Sequence, residues 1–199
     1  MCAPAAYLDR LDVLGPRTLL AHGVWLDDEE LAIVAERGAT IVTNPVSNLK
    51  LAVGGVFRYD AARERGIPVG LGTDGASSNN SLDLLQDVKA FALIQKHAAR
   101  DPAVMPAAEA WAVATGARAP MLGQSGQVAV GEAADFLLVR TTAPELSMGN
   151  FTAGLVYAAT GAVVDTVVVD GRLLMRGGAV EGEEEVRARA VEHARRLLA

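Results

Sequence analysis

The sequence predicts an α/β protein built on a parallel sheet and followed by a smaller β-rich part, on three observations. Short apolar runs alternate with amphipathic segments through the first two thirds of the chain. The polar residues of those runs gather at their carboxyl ends. Beyond about residue 123 the texture changes to short β-type runs broken at Gly126, Gly131, Gly171, Gly177 and Gly178.

Taken in order, "TLLAHGV" reads as the first strand. "DDEELAIVAERG" follows as a helix, with acids in its first turn, Leu31, Val34 and Ala35 on its apolar side, and Gly38 as its stop. "ATIVTNP" is the second strand, "FRYDAARERG" the next helix and "IPVGLGTD" the third strand. Each step takes roughly 25 residues, as parallel strands joined by crossover helices require. The strands are nearly continuous apolar runs, so both faces are expected to be covered.

A loop rich in Ser and Asn comes next, with Ser81 expected to cap the long helix "SLDLLQDVKAFALIQKHAAR". Pro106 opens a further helix, "PAAEAWAVATGARAPML". The segments "GQVAVGEAADFLLVRT" and "VVDTVVVDGRLLMRGGAV" suggest a small antiparallel sheet, and "NFTAGLVYAATG" between them reads as one short helix. The final "EGEEEVRARAVEHARRLLA" reads as an amphipathic helix with acids first and Arg late, matching the helix dipole. The expected division is residues 1–123 for the α/β part and 124–199 for the β-rich part with its terminal helix.

Composition narrows the function classes. A 199-residue chain that is 51% hydrophobic can bury a sizeable core. Its formal charge of -6 argues against a nucleic-acid surface, so a small-molecule partner is expected. The single cysteine, Cys2, leaves no internal disulfide and fits a reducing cytoplasm. No apolar run approaches the ~20 residues of a membrane span. A soluble cytoplasmic protein is expected.

The stretch "IPVGLGTDGASSNNSLDLLQDV" contains G-x-G-x-x-G at Gly70, Gly72 and Gly75. Read as a phosphate cradle, it would place the negative Asp74 among the phosphates, with no Lys or Arg between residues 66 and 88 to offset it. Read otherwise, Asp74 ends a strand and holds a metal or takes a proton, or is a turn aspartate. His22 closes the first strand and Asn44 the second, so His22 and Asp74 share one end of the sheet, where α/β proteins carry their chemistry. A lone His in an apolar strand also has a plain structural reading. His97 and His193 read as surface positions on helices.

Together, "SNLKLAVGG", "GLGTDGASSNNSLDL", "GQVAVGEAADFLLV" and "VVDTVVVDGRLLMRGG" resemble, in order, the carboxyl-terminal half of the amidohydrolase superfamily. The nearest resemblance is to the 5-methylthioadenosine and S-adenosylhomocysteine deaminases, with their chlorohydrolase and guanine deaminase relations. The resemblance implies the last three β-α units of a (β/α)8 TIM barrel joined to a carboxyl-terminal portion of a small β-sandwich. It implies a divalent metal, zinc or iron, and hydrolytic deamination of a nucleoside or related heterocycle with release of ammonia. On it, Asp74 matches the aspartate that ligates the metal and moves protons, and His22 matches the histidine beside the attacking water. Asn48 and Ser77, with Ser47 and Asn79 beside them, are candidates to line the pocket, or else turn and capping residues. Self-association is common in the family and is expected of the full-length form.

The departures from the family are large. The H-x-H and H-x-x-E of the family's earlier strands have no counterpart here. A fragment with little catalysis of its own is therefore expected, with a non-catalytic partner subunit and a nucleotide-binding protein as the rival classes.

Overall fold

The computed structural model describes residues 3–120, 123 and 126–198. Cys2 and the end of the expected "PAAEAWAVATGARAPML" helix at residues 121 and 122 lie outside the described residues. So do residues 124 and 125, at the expected division. The chain forms two compact units: residues 1–127 with 144–161, and residues 128–143 with 162–199. A single cut near residue 123 would assign the helix Phe151–Tyr157 to the β-rich part. Its neighbours are helices of the first unit, so it belongs there.

The first unit holds a three-stranded parallel sheet, β1 (Leu19–Ala21), β2 (Thr40–Thr43) and β3 (Val69–Leu71), in that spatial order. Leu19 pairs with Thr40 and Ile41 with Val69, so all three carboxyl ends lie on one edge. Around them run α1 (Pro4–Arg10), α2 (Asp28–Arg37), α3 (Pro45–Lys50), α4 (Tyr59–Glu64), α5 (Ala76–Asn79), α6 (Leu84–Ala99), α7 (Ala107–Ala114) and α8 (Phe151–Tyr157). Leu31 and Val34 of α2, Ile41, Val69, and Val88 and Phe91 of α6 form one buried cluster. Burying a side chain of that size contributes roughly 1.5–3 kcal/mol.

Local chemistry explains the element ends. Asp27 and Glu30 form a reciprocal capping box at the start of α2, and Gly38 ends it in the left-handed conformation at φ 69°. Buried Glu30 also accepts the backbone N–H of Ala5 at 2.8 Å, which docks α1 on α2. The cap of α6 is Asp83, whose Oδ1 accepts from the N–H of Leu85 at 3.0 Å. Ser81, the expected cap, instead accepts from the N–H of Asp83 at 3.1 Å and braces the capping residue.

Three expectations change. Strand β1 is half exposed, with Leu19 at 48%, whereas β2 and β3 are largely buried; β3 is an edge strand too, but α4, α6 and α7 pack on it. The segments after Asn44 and after Gly75 are short helices, α3 and α5, rather than loops. Finally, "GQVAVG" forms no strand: Gly131 takes φ 94°, and Val128 and Val130 stand exposed without strand partners.

The second unit is an antiparallel sheet, β4 (Phe136–Val139), β5 (Val164–Val169), β6 (Arg172–Arg176) and β7 (Ala179–Val180), in that order, followed by α9 (Glu183–Leu198). None of the residues of α9 is buried. Glutamates in its first turn, arginines in its last, and i,i+4 pairs Glu183–Arg187 and Glu192–Arg196 support it. Among the described residues, no helix is long and apolar enough to cross a membrane.

Candidate functional site

The carboxyl edge of the parallel sheet gathers His22, Asn44 and Asp74. The ladder continues one step past the strands: the N–H of His22 donates to Val42 O at 2.8 Å, and that of Gly72 to Thr43 O at 3.0 Å. The chain then turns sharply. His22 and Asp74 both take left-handed backbone angles, φ 68° and 60°, uncommon for residues other than glycine and a frequent mark of functional positions.

These turns bring the two side chains together, with His22 Nε2 3.9 Å from Asp74 Oδ2. Each is fixed from behind by α3. Asn48 Oδ1 lies 2.7 Å from His22 Nδ1, and the Ser47 hydroxyl donates to Asp74 Oδ2 at 2.7 Å. Since Asn48 Oδ1 only accepts, the contact is made by Nδ1–H, and Nε2 is the ring nitrogen turned toward Asp74. Asn44 lies 3.4 Å from the same Nδ1, too far to compete with the shorter contact.

The Asp74 carboxylate is held by hydrogen bonds to its charged form. The Ser47 hydroxyl, the Gly75 N–H at 2.8 Å and the Ser78 hydroxyl bring its pKa down to about 2. His22 adds a smaller electrostatic pull. Asp74 is therefore a fixed anion at neutral pH, suited to a cation or to the O–H of a water. At 3.9 Å, Nε2 and Oδ2 are too far apart for a direct hydrogen bond, which leaves room for such a group between them.

Sequence reasoning placed Asn48 and Ser77 near the pocket. Asn48 touches His22, whereas Ser77 is exposed and meets Lys50 Nζ through its backbone carbonyl at 2.9 Å. The neighbouring Ser78 is the α5 serine that helps to lower the Asp74 pKa, with its hydroxyl donating to Gly75 O at 3.0 Å. Asn79 is buried, donating to Thr73 O at 2.7 Å and to Asp87 Oδ2 at 2.9 Å. Sequence reasoning missed Asp87. Its signal is a charge on the inward stripe of α6, between Leu84 and Val88 and four residues before Phe91. His97 and His193 are exposed on helices α6 and α9.

The glycine pattern has a different use from phosphate binding. A Cβ on Gly72 would lie 2.5 Å from Asn44 Oδ1 and 3.2 Å from Val42 Cγ1, so Gly72 makes space for Asn44. The Gly75 N–H, which a phosphate would need, already donates to Asp74. Asp74 occupies the cradle itself.

The family model described as "Amidohydrolase family" matches residues 2–174. The chain belongs to the amidohydrolase family.

Among curated relatives, the 5'-deoxyadenosine deaminase of Methanoregula boonei is 44% identical over 197 residues, which is 98% of this chain and 45% of that protein. The 5-methylthioadenosine/S-adenosylhomocysteine deaminase 1 of Archaeoglobus fulgidus is 40% identical over 195 residues, 96% of this chain and 46% of that protein. This amidohydrolase chain thus spans about half the length of the curated relatives it matches. Among solved structures, a zinc-bound adenosine deaminase from Xanthomonas campestris superposes with a TM-score of 0.86 at 32% identity, covering 97% of this chain and 44% of that one. The zinc complex of atrazine chlorohydrolase from Arthrobacter aurescens gives 0.82 at 28%, covering 96% and 43%.

The donor set tests whether such a metal fits here. Asp74 offers an ionised carboxylate. Among the described residues, however, no group of three or more His, Cys, Asp or Glu side chains is placed to hold a metal ion, and a zinc site takes at least three protein ligands. The described residues do not make a metal site by themselves.

Proposed function

We propose that this chain supplies part of the active site of a metal-dependent amidohydrolase that deaminates an adenosine-type nucleoside, such as 5'-deoxyadenosine, methylthioadenosine or S-adenosylhomocysteine. In this reading the first unit holds the last three β-α units of a (β/α)8 barrel, and the second unit contributes to its β-sandwich. The observation that carries the reading is the line Asn48, His22, Asp74, Ser47, assembled at the carboxyl ends of β1 and β3. The remaining metal ligands come from residues outside this chain.

A divalent metal, with zinc favoured by the zinc-bound neighbours, would supply hydroxide near neutral pH when bound. Asp74 is the carboxylate this chain offers it as a ligand. The rest of the reaction falls to the side chains around it. His22, held by Asn48 at Nδ1, turns Nε2 toward the attacking water, hydrogen-bonds its oxygen and orients it toward the amino-bearing ring carbon. The same contact stabilises charge that develops on that oxygen.

Asp74 Oδ2 takes the proton released as the water oxygen bonds to the ring carbon and passes it to the departing amine, so that the carbon–nitrogen bond breaks and ammonia leaves. With a pKa of about 2 in this chain, Asp74 is ionised at neutral pH and open to accept a proton. Ser47 keeps Oδ2 in place. Asn48, beside His22, and Ser77 are the residues proposed to line the substrate pocket.

An amino rather than a chloro leaving group is favoured because relatives with 40% identity or more carry deaminase names, while the chlorohydrolase neighbour stands at 28%. The test is metal content and ammonia release from the three nucleosides, for this chain alone and mixed with the remaining portion of a curated relative. Ammonia released only by the mixture, with zinc retained, is the expected result. No ammonia and no zinc in either case would overturn the reading.

A further inference from the structure

Asp87 is fully buried on α6 and takes no part in the chemistry above. Its Oδ1 accepts the N–H of Val46 at 3.2 Å, and its Oδ2 accepts Asn79 Nδ2 at 2.9 Å. Val46 lies in the first turn of α3, immediately before Ser47 and Asn48. Asn79 closes α5, and the same Nδ2 donates to Thr73 O at 2.7 Å, one residue before Asp74.

One carboxylate therefore ties together the two short helices that flank the site. Helices of six and four residues do not hold themselves, since a nucleated helix needs about 12–15 residues to be even marginal in water. Their placement comes from outside, from a rigid 16-residue helix whose neighbouring residues Val88 and Phe91 are packed in the core.

We propose that Asp87 is the positioning residue of the site: it sets α3 against α5, and through them the contacts of Asn48 with His22 and of Ser47 with Asp74. The proposal rests on the reading of His22 and Asp74 as the working pair.

The hydrogen-bond inventory explains why a carboxylate is needed. Both groups facing Asp87 are donors, and a carboxylate accepts at both oxygens. An amide there has one acceptor and one donor, so one facing N–H loses its partner. Asn79 has a partial escape, because its Oδ1 is buried without a partner among the described residues and turning the amide over would present it to the new donor. Thr73 O then loses its hydrogen bond, and the strain reaches Asp74 directly. Either way the substitution is felt at the site.

The test is nitrogen and proton NMR on isotope-labelled chain, comparing wild type, Asp87→Asn and Glu109→Gln. Two signals report the site: the protonation pattern of the His22 ring nitrogens, and the Gly75 amide proton that donates to Asp74. Glu109 lies in a separate cluster with Tyr59 and Arg118, so it serves as the comparator for general loosening. The expected result is loss of the Nδ1–H form of His22 and a shifted Gly75 amide in Asp87→Asn, with both signals unmoved in Glu109→Gln. Unmoved signals in Asp87→Asn, or equal movement in both variants, would overturn the proposal.

Should Asp87→Asn fail to fold, Asn79→Ala decides. It removes one arm only and is expected to shift the Gly75 amide while His22 keeps its Nδ1–H form; an unmoved Gly75 amide would overturn the proposal. Neither readout needs turnover. A failed deaminase assay leaves the result standing, and a failed positioning test leaves the deaminase reading standing.

Discussion

The Ser47 hydroxyl donates to Asp74 Oδ2 at 2.7 Å, joining the helix after β2 to the turn after β3. This hydrogen bond exists only because the parallel sheet brings those two segments to one edge, and it is the largest cause of Asp74's depressed pKa.

Removing that donor should be visible in a titration. In Ser47→Ala, the Asp74 carboxyl is expected to titrate above its wild-type value of about 2, moving toward the ordinary value near 3.9. The sign follows from linkage: a carboxylate with a depressed folded pKa adds stability that is present above the unfolded value and is lost as pH falls through the folded one. The stability difference between wild type and Ser47→Ala should therefore shrink between about pH 4 and pH 2. Carboxyl carbon NMR and acid unfolding curves measure the two effects.

Gly72→Ala places a methyl group against Asn44 Oδ1 and Val42 Cγ1. Asn44 is buried, and its Nδ2 lies within reach of both Val42 O and His22. Over-packing of this kind typically costs 1–3 kcal/mol, so a loss of about 1 kcal/mol or more is expected by urea unfolding. Changed ring signals of His22 should accompany it. An unaltered His22 with normal stability would mean that the close approach of Asn44 is not a constraint.

The opposite side of the first unit carries its own polar cluster. Glu109 accepts from the buried Tyr59 hydroxyl and pairs with Arg118 at 2.6 Å and Arg63 at 3.5 Å. Burial pushes the Glu109 carboxyl up, but Arg118 and then Tyr59 more than offset this and hold it below the usual range. The same burial, with the hydrogen bond to Glu109, pushes the Tyr59 hydroxyl well up. Glu109→Gln should cost roughly 1–3 kcal/mol of stability at neutral pH, because the charge-assisted bond to Tyr59 is lost. The cost should fade as pH drops through the depressed pKa of Glu109. Thermal unfolding across that range checks both.

Much of the fold was legible from particular residues. Continuous apolar runs marked β2 and β3, because strands covered on both faces leave no alternation to read. Asp27 with Glu30, and Gly38 after Arg37, bounded α2 to within one residue. The short helices α3 and α5 were missed because six and four residues carry too little periodicity, and "SNL" and "SSNN" read as turns. What forms them is remote: Asp87 on α6 reaches back to Val46 and Asn79. Long-range hydrogen bonds leave no local pattern in a sequence.

The site was legible in the same uneven way. His22 and Asp74 stood at the ends of apolar runs, and their convergence follows from parallel strand order alone. Asn48 lay in a segment read as a loop, yet helix α3 is what aims it at His22. Ser78 and Asp87 gave weaker signals. Ser78 is one of several hydroxyls in a polar run, and Asp87 is a charge on an otherwise apolar helix stripe.

If Asp74 and His22 of this chain complete a deaminase site, they should do so inside a relative that supplies the rest. The most direct measurement replaces the matching 45% of the Methanoregula boonei 5'-deoxyadenosine deaminase with this chain and follows zinc content and ammonia release together. The expected chimera holds zinc and releases ammonia, and its Asp74→Ala form loses both while keeping its fold. An Asp74→Ala chimera that retains zinc and turnover would contradict the role given to Asp74 here.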